Sequence, residues 1–191
     1  MRKIRSDIEN WLKEEGERFF KEIGIKKGYI ILDFGCGSGN YAIPVAKIVG
    51  KEGKVYALDK DTDALNKLIQ KIKSMKLENI EIIKTSGELK IPIKDKSVDT
   101  VLLYDVLHNH YFSLSERKKV LKEIYRVSKS NALLSVYPMH MNLEEIKGEI
   151  KNADFYFENK FLKAIIHESK YTKKYILNFR KVANEGRKVE T

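Results

Sequence analysis

The stretch that decides the fold is Ile30-Ile31-Leu32-Asp33-Phe34-Gly35-Cys36-Gly37-Ser38-Gly39. An apolar run of strand character leads into Asp33, and glycines then occupy alternate positions from Gly35 to Gly39. Apolar residues at helical spacing begin at Tyr41. Glycine permits a tight turn close to a ligand, and the free N–H groups at a helix start point into the same space. The pattern therefore predicts a ligand site where the first strand ends.

A second strand ends in an acidic residue that suits a nucleoside. Val55-Tyr56-Ala57-Leu58 leads into Asp59, whose carboxylate can bind both hydroxyls of a ribose lying across the strand ends. A dinucleotide fingerprint, G-x-G-x-x-G, requires a third glycine at position 40, where this chain has Asn40. Asp33 beside the loop also suits a ligand with a positive group better than it suits a pyrophosphate. The pattern thus argues against NAD.

The spacing Asp33-x-Gly35-x-Gly37-x-Gly39 resembles motif I of the class I S-adenosylmethionine (SAM)-dependent methyltransferases. The resemblance covers roughly residues 22 to 182, and three further segments match in order. They are Ile91–Asp99 before the fourth predicted strand, Leu103–Asn109 after it, and Lys122–Lys129 before the fifth. The chain is similar to the small-molecule methyltransferases of ubiquinone and menaquinone biosynthesis.

The resemblance implies which residues hold SAM and its product, S-adenosylhomocysteine (SAH). Asp33 would bind the ammonium, and Asp59 the ribose. After the third strand the family often places an aspartate that holds adenine. This chain departs from the family there, and Ser86 or Glu88 is the substitute contact. The implied cofactor-binding residues are Asp33, Gly35, Cys36, Gly37, Ser38, Gly39, Asp59, Lys60, Ser86, Gly87, Glu88, Tyr104 and Asp105.

Histidines near the ends of the fourth and fifth strands are candidates for a general base. The methyl group of SAM is already activated, so the protein mainly aligns the acceptor with it. An oxygen or acidic-carbon acceptor also has to lose a proton. His108, His110 and His140 are the candidate catalytic residues, and each also fits a packed structural role. Asp105, His110 and His140 lack the tight spacing typical of a metal site, so no bound metal is expected.

The acceptor is less well defined by the sequence. Aromatic and methionine residues after strands four and five suit either a small, partly apolar acceptor or core packing. They are Tyr111, Phe112, Tyr137, Met139 and Met141. Tyr104-Asp105-Val106-Leu107 stands where nucleobase, glutamine and DNA methyltransferases carry Asn-Pro-Pro-Tyr, which argues against those substrates. A single cysteine, Cys36, argues against arsenite methylation and suits a small packed residue between glycines.

The length, charge and composition of the chain limit the classes of protein to which it can belong. The chain has 191 residues with 37 Lys and Arg against 27 Asp and Glu, a net charge of +10. Length favours a single domain, and the charge fits either a lysine-rich surface or contact with RNA. No apolar run approaches the length of a membrane span, and the N-terminus lacks the apolar core of a signal peptide. A cytoplasmic monomer or homodimer is expected.

Alternating strand and helix patterns predict an α/β fold. It is a Rossmann-like, doubly wound sheet of seven strands, mostly parallel with an antiparallel C-terminal strand, and with helices on both faces. Strands are expected at 29–34, 54–59, 80–84, 98–103, 132–137, 154–168 and 174–182. One domain spans 1–191, with an N-terminal helix or lid at 1–24 that carries Trp11, Phe19 and Phe20, a core at 25–182 and a loose tail at 183–191.

Three functions remain open at this point. The first is a SAM-dependent methyltransferase that acts on a small molecule, which the motifs favour. The second is a methyltransferase that acts on RNA or protein and uses the positive charge. The third is a non-catalytic SAM-binding module, because a fold and a cofactor site do not by themselves establish turnover.

Overall fold

The computed structural model describes residues 6–167 and 169–182 and shows a seven-stranded sheet with helices on both faces. The strands are β1 (Ile30–Phe34), β2 (Lys54–Asp59), β3 (Ile80–Lys84), β4 (Val98–Tyr104), β5 (Ser128–Tyr137), β6 (Phe155–His167) and β7 (Lys170–Lys181). Their order is β3-β2-β1-β4-β5-β7-β6, and β7 runs antiparallel to both of its neighbours. The remaining pairs are parallel. The predicted Rossmann-like sheet is confirmed.

The helices begin where the sequence supplies capping side chains. Asp61 accepts hydrogen bonds from the N–H groups of Asp63 and Ala64, and Ser113 forms a capping box with Glu116. The helical elements are α1 (Asp7–Asn10), a π-helical segment (Trp11–Glu15), α2 (Gly16–Glu22), α3 (Ala42–Val49), α4 (Thr62–Met75), α5 (Leu114–Val127) and α6 (Leu143–Lys151). None of the helices in the described part of the chain is long and apolar enough to cross a membrane.

The sheet separates two hydrophobic cores. Neighbouring residues of a strand face opposite sides, so Ile31 packs in one core and Leu32 in the other. The first core joins the sheet to the N-terminal helices, α3 and α4, and the second joins it to α5 and α6. Burial on both faces explains why 30–32 in β1 and 101–103 in β4 are continuous apolar runs rather than alternating patterns.

The chain direction across the sheet places a crevice above β1 and β4. β1 pairs with β2 on one side and with β4 on the other, so the connections diverge at this point. Ligands of doubly wound sheets bind there, beyond the carboxyl ends of the strands. Because β7 is antiparallel to both β5 and β6, the carboxyl end of β6 lies at the same edge of the sheet.

The N-terminal segment packs as part of the first core. Trp11 is 1% exposed and Phe20 is fully buried, and the Trp11 Nε1–H donates to the carbonyl of Asn40 at 2.7 Å. Trp11 also packs edge-on against Tyr41. A lid would have to expose these rings when it opened. In this structure the segment covers α3, and its role as a lid stays a prediction.

Several element ends differ from their predicted positions. β5 begins at Ser128, four residues early, because Ser128 pairs with Val98 ahead of a β-bulge in a polar stretch that apolar periodicity cannot detect. β7 begins at Lys170 for a related reason, since its first half is lysine-rich and exposed. The predicted tail at 183–191 lies outside the described residues.

Candidate active site

The three glycines after β1 have different physical roles. A Cβ atom on Gly35 would lie 2.6 Å from Val106 Cγ2, and one on Gly39 would overlap Leu68. These two glycines let the loop pack closely against its neighbours. Gly37 has φ of +51°, and a Cβ atom there would meet nothing within 4 Å. Gly37 therefore faces open space, where a side chain would fill volume that a ligand needs.

Asp59 at the end of β2 is fixed by backbone donors. Its Oδ2 accepts the Gly37 N–H at 2.7 Å, and its Oδ1 accepts the Asp61 N–H at 2.9 Å. A carboxylate has about four acceptor positions, so lone pairs remain for a ligand. The hydrogen bond to Gly37 also ties the glycine loop to β2. This geometry holds one carboxylate in place at the side of the loop.

Asp33 is a buried acid with incomplete hydrogen bonding. Its side chain is 1% exposed, and its Oδ2 atom has no hydrogen-bond partner within the described residues. Burial, with a smaller contribution from the charge of Asp59, raises the pKa of Asp33 from its ordinary 3.8 to about 7. The backbone N–H of Ala42 lowers that pKa in part. A cationic group next to Asp33 would stabilise the charged carboxylate.

The loops after β1, β2, β3 and β4 enclose a cleft of about 450 Å³. Of the predicted cofactor-binding residues, seven line it: Gly35, Gly37, Asp59, Lys60, Gly87, Glu88 and Asp105. Tyr111 and Phe112 lie in the wall, as predicted for the cleft lip. The remaining lining residues are Phe34, Leu58, Asp61, Ala64, Thr85, Leu89, Val106 and Glu116.

The other six predicted residues do not line the cleft; they are Asp33, Cys36, Ser38, Gly39, Ser86 and Tyr104. Cys36 is buried and burial raises the pKa of its thiol, which fits the predicted packing role. Ser38 binds Lys71 through its carbonyl at 2.8 Å. Ser86 is outside the lining, whereas its neighbour Glu88 is within it. Of the two substitutes for the missing adenine-binding aspartate, Glu88 is the better placed.

Tyr104 has a different position from the one expected beside the methionine end of SAM. The ring is 3% exposed and stacks with Phe20 at a centroid distance of 5.9 Å. Its hydroxyl hydrogen-bonds Ser135 at 2.8 Å. Tyr104 is thus a core residue at the base of the crevice, and the chain turns outward one residue later, at Asp105.

All four histidines of the chain gather around Asp105. Asp105 Oδ1 lies 3.8 Å from His108 Nε2 and 3.5 Å from His140 Nε2, and Asp105 Oδ2 lies 3.2 Å from His167 Nδ1. His110 packs against both His108 and His140, with ring centroids 5.2 and 5.9 Å apart. The predicted histidines His108, His110 and His140 are therefore brought together around Asp105, which itself lines the cleft.

Burial affects the pKa of His108 in this cluster, and the backbone conformation of Asp105 sets the direction of the chain there. His108 is 5% exposed, and that burial lowers its pKa despite the opposing effect of Asp105. Its Nδ1 accepts the N–H of His110 at 3.3 Å. Asp105 has φ of +55°, a left-handed conformation that is uncommon outside glycine and that turns the chain sharply after β4.

Sequence reasoning does not predict His167. It is the last residue of β6, and no motif surrounds it. The available signal is topological. Once β7 is recognised as antiparallel to β5 and β6, the last residue of β6 must lie at the ligand-binding edge.

A second cavity, of about 490 Å³, lies between the N-terminal helices and the last two strands. None of the four loops at the carboxyl ends of β1–β4 contributes to it. Its walls carry Glu15, Glu22, Arg18 and Lys163, with no glycine. We assign the cofactor to the smaller cleft because only that cleft combines open glycine backbone with fixed carboxylates.

The cleft fits a ligand that carries a ribose and a cationic group. Asp59 presents a positioned acceptor, and Gly37 leaves room for a close approach. The incompletely bonded Oδ2 of buried Asp33 suits an ammonium. The arrangement of acceptor groups and open backbone therefore suits SAM.

Comparisons with known proteins bear on the family of this chain. A family model described as a methyltransferase domain matches residues 25–186. Demethylmenaquinone methyltransferase of Lactobacillus johnsonii is 33% identical over 120 residues, 63% of this chain and 48% of that protein. The enzyme of that name from Geobacillus stearothermophilus is 34% identical over 59% of this chain and 46% of its own length. The chain thus spans about half the length of the curated relatives it matches.

Solved structures extend the comparison to nearly the whole chain. A SAM-dependent methyltransferase from Aquifex aeolicus superposes with a TM-score of 0.74 at 27% identity, covering 93% of this chain and 95% of that one. The [4+2]-cyclase SpnF shares the fold at a TM-score of 0.67 and 15% identity, over 87% of this chain and 80% of that one. SpnF shows that this fold alone does not determine a reaction. On its motifs, its sheet and the family model together, the chain belongs to the methyltransferase domain family, in the SAM-dependent class I group.

Proposed function

We propose that this protein transfers a methyl group from SAM to a small-molecule acceptor. The observation that carries the proposal is the pair of acids around the open glycine loop. Asp33 is buried with an unbonded oxygen, and Asp59 is held by the N–H of Gly37. The hydrogen bonds of Asp59 leave acceptor positions open, and the Oδ2 of Asp33 has no partner among the described residues. A cofactor with a cationic end and a ribose would satisfy both.

Each part of the cleft has a role in this proposal. Asp33 binds the ammonium directly or through water, and Asp59 accepts the ribose hydroxyls. Glu88, at the opposite wall, takes the adenine amino group in place of the aspartate that the family often has. Gly37 gives the backbone its close approach to the cofactor, and Gly35 lets the loop pack against Val106. The Lys60 Nζ lies over the ring of Tyr111, 5.8 Å from its centroid, and both residues line the cleft.

The histidine cluster forms the acceptor end of the site. Asp105 belongs both to the cleft lining and to the cluster, so the cluster lies at one end of the cofactor cleft. His108, His110 and His140 would hold a polar acceptor by hydrogen bonds, and one of the three would take up the proton of a hydroxyl group. Phe112, Tyr111 and Val106 provide an apolar wall for the rest of the acceptor.

The protein's contribution to the reaction is then alignment, exclusion of water and removal of a proton. SAM supplies a methyl group activated by its sulfonium, and the bond from the acceptor to that carbon forms as the carbon–sulfur bond breaks and its electron pair stays on sulfur. Alignment of this kind can supply several kcal/mol, about 7 or more in favourable cases. A positioned proton acceptor contributes a further ~10²–10⁴-fold.

Charge in the cleft favours a small acceptor over RNA. Five carboxylates line the cleft against one lysine, Lys60. They are Asp59, Asp61, Glu88, Asp105 and Glu116. A polyanion approaching this mouth meets like charge, although the chain as a whole carries +10. The demethylmenaquinone methyltransferases among the relatives are named for a small-molecule acceptor, which supports the same choice. A cytoplasmic location and a monomeric or dimeric state are further proposals from the sequence.

The cofactor is tested by calorimetric titration of the purified chain with SAM, SAH and NAD in parallel. We expect SAM and SAH to bind and NAD to give no heat of binding. The acceptor class is tested by incubation of the chain and methyl-labelled SAM with a cell extract divided into small-molecule, RNA and protein fractions. Label in the small-molecule fraction is expected. Label in RNA or protein contradicts the proposed acceptor, and SAM binding with no labelled fraction indicates a non-catalytic module.

The ribose contact is tested by Asp59→Ala, with Asp63→Ala as the matched control. Loss of the Asp59 carboxylate leaves hydrogen-bonding groups of the cofactor unpaired, which costs about 1–3 kcal/mol of SAH binding. Asp63 is an exposed acid of the following helix and does not line the cleft. Equal SAH affinity for the native chain and Asp59→Ala would show that the ribose does not bind there.

A further inference from the structure

We propose that Asp105, His140 and His167 bind a divalent transition-metal ion at the acceptor end of the cleft. The sequence predicts no such site, because its ligands are far apart along the chain. The fold brings them together. One oxygen or nitrogen ligand atom from each of the three residues lies within 4.8 Å of the other two.

The separations match those of ligands that share one ion. Ligand atoms about 2.1 Å from an ion, at right-angle or tetrahedral positions, lie about 3.0–3.4 Å from one another. Asp105 Oδ2 and His167 Nδ1 are 3.2 Å apart, and Asp105 Oδ1 and His140 Nε2 are 3.5 Å apart. The two distances involve different oxygens of the Asp105 carboxylate, so binding of one ion requires the side chains to adjust until all three ligand atoms surround it.

Three separate elements supply the ligands. Asp105 follows β4, His140 follows β5, and His167 ends β6. Parallel direction of these three strands brings their carboxyl ends to one edge, and the left-handed backbone of Asp105 turns its chain there. Convergence from three elements distinguishes this set from an i, i+4 pair on a single helix.

The ligand types indicate the class of ion. Two imidazoles and one carboxylate suit zinc, iron, cobalt or nickel ions, whereas magnesium and calcium prefer oxygen ligands alone. Three protein ligands leave coordination positions open, as in catalytic rather than structural sites. The His140 side chain is 43% exposed, which gives an ion a route from solvent.

A bound ion would define the acceptor more closely, and this part of the inference rests on the proposed methyl transfer. Asp105, one of the three ligands, also lines the cofactor cleft. An acceptor with a hydroxyl next to a second oxygen could bind the ion through both atoms. The charge of the ion would lower the pKa of that hydroxyl. The acceptor class is therefore a phenol or enol with an adjacent oxygen.

The alternative is a set of hydrogen-bonded histidines around one acid, with no ion. Such a cluster binds protons and no metal with defined stoichiometry. The two arrangements differ in what happens when cobalt is added, because cobalt(II) bound to nitrogen and oxygen ligands absorbs visible light. Metal binding can also be measured without any methyl acceptor.

The experiment uses the full chain without a histidine tag, stripped with a chelator and titrated with Co²⁺ and then Zn²⁺. We expect one equivalent of Co²⁺ to give a visible absorption band, which Zn²⁺ then abolishes. His167→Ala and His140→Ala each weaken Co²⁺ binding at least about tenfold. His110→Ala removes a neighbouring histidine outside the three ligands and leaves the Co²⁺ affinity within about threefold.

SAH titration of the same proteins separates this inference from the proposed function. Native SAH affinity in His167→Ala shows that this variant is folded. If His167→Ala does not fold, His140→Ala replaces it in the test, because His140 is more exposed. A chain that binds SAH without one equivalent of Co²⁺ overturns the metal site alone. A loss of Co²⁺ affinity in His110→Ala equal to that in His167→Ala overturns the ligand assignment. Co²⁺ binding without SAH binding overturns the proposed function instead.

Discussion

Asp33 shows a conflict between stability and binding within one side chain. It is buried, and one of its oxygens lacks a partner among the described residues. Burial raises its pKa to about 7, so the folded chain holds a proton that the unfolded chain releases near pH 3.8. Between these two pH values the native state binds more protons than the unfolded state. Stability contributed by this group therefore falls as the pH rises from about 4 to about 7, and levels off above pH 7.

Asp33→Asn should stabilise the cofactor-free chain at alkaline pH and weaken cofactor binding. The pKa difference corresponds to roughly 4 kcal/mol, and the new amide lacks an acceptor, so we expect a net gain of roughly 2 kcal/mol at pH 8. Near pH 4 the gain should vanish. SAH binding should fall by about 1.5–3 kcal/mol because a charged hydrogen bond is lost. Urea unfolding at both pH values and SAH titration measure the two effects.

The same substitution has an internal control, since only the alkaline measurement depends on the charge. A gain in stability of equal size at pH 4 and pH 8 would mean that packing, not ionisation, is responsible. Unchanged SAH affinity would remove Asp33 from the ammonium site. The two results are independent, so each part of the assignment can fail alone.

Substitutions at two glycines of the loop should have different effects, one on cofactor binding and the other on stability. Gly37→Ala should leave stability within about 1–2 kcal/mol, the cost of a left-handed alanine, while its methyl group enters the cleft and weakens SAH binding. Gly37→Val should abolish binding for the same reason. Gly35→Ala should instead lower the free energy of unfolding, because its Cβ would press on Val106. Thermal unfolding and SAH titration of these variants are the measurements.

The opposite ranking of the two alanine variants would show that the loop faces the other way. In that result, Gly35→Ala would keep its stability and lose SAH binding, and Gly37→Ala would be strongly destabilised. Native behaviour in both would mean that neither glycine is required by its surroundings.

At the residue scale, sequence reasoning located the acids better than the side chains around them. Asp33 and Asp59 were predictable because glycine spacing and strand ends fix their positions. Tyr104 was placed beside the cofactor although it is buried, since strand-end position does not specify which face a side chain takes. His167 was not predictable, because its position depends on the register of the last hairpin rather than on neighbouring residues.

Among the elements, α5 and α6 are joined by a buried ion pair. Its arginine also contacts the segment after β4, residues 105–112, which we call the histidine loop. Arg117 is 2% exposed, and its Nε–H donates to Glu149 at 2.8 Å. The same guanidinium donates to the carbonyl of Phe112 at 3.2 Å and to the side chain of Asn109. Arg117 therefore connects both helices to the segment that carries Asp105 and His108.

Arg117→Met should destabilise the chain by about 3–5 kcal/mol, because Glu149 is left buried without a counter-charge. Arg117→Met combined with Glu149→Met should recover most of this loss, since both charges are then gone. Lys54→Met breaks the exposed pair with Glu81 and should have a much smaller effect. Chemical unfolding of the four proteins, including the native chain, gives the comparison.

No recovery in the double variant would show that the backbone contacts of Arg117, rather than its pairing with Glu149, stabilise the region. In that case methyl transfer should remain low in both variants, because the histidine loop has lost its anchor. Recovery of stability without recovery of activity would indicate that Arg117 is a positioning residue for the loop.

The element pattern was predicted well where apolar periodicity is strong and less well where strands are polar. β1, β2 and β4 are buried on both faces, and their apolar runs defined them. The starts of β5 and β7 lie in stretches rich in lysine and serine, which pair because their neighbours in the sheet are already in place. Tertiary pairing, not local preference, sets those boundaries.

At the scale of the whole molecule, the net charge of the chain is positive, whereas the charge of the cofactor cleft is negative. The chain carries +10, yet the cleft holds five carboxylates and one lysine. Exposed lysines on the last two strands, such as Lys160, Lys173 and Lys174, account for part of the excess. Lysines at the edge of a sheet also discourage pairing with another chain. A basic surface is thus compatible with a site that excludes polyanions.

The last prediction concerns RNA. At low salt, unstructured RNA should bind the basic surface weakly, with an affinity that falls steeply as salt is added. At physiological salt we expect only the micromolar or weaker binding typical of non-specific contact, about 10⁻⁴–10⁻⁶ M. SAH affinity, measured by titration with and without saturating RNA at low salt, should be the same, because RNA does not enter the acidic cleft. RNA that changes SAH affinity, or that binds tightly at physiological salt, would place a nucleic acid at the active site. The acidic lining would then have to be screened by ions, and the small-molecule assignment would give way to an RNA methyltransferase.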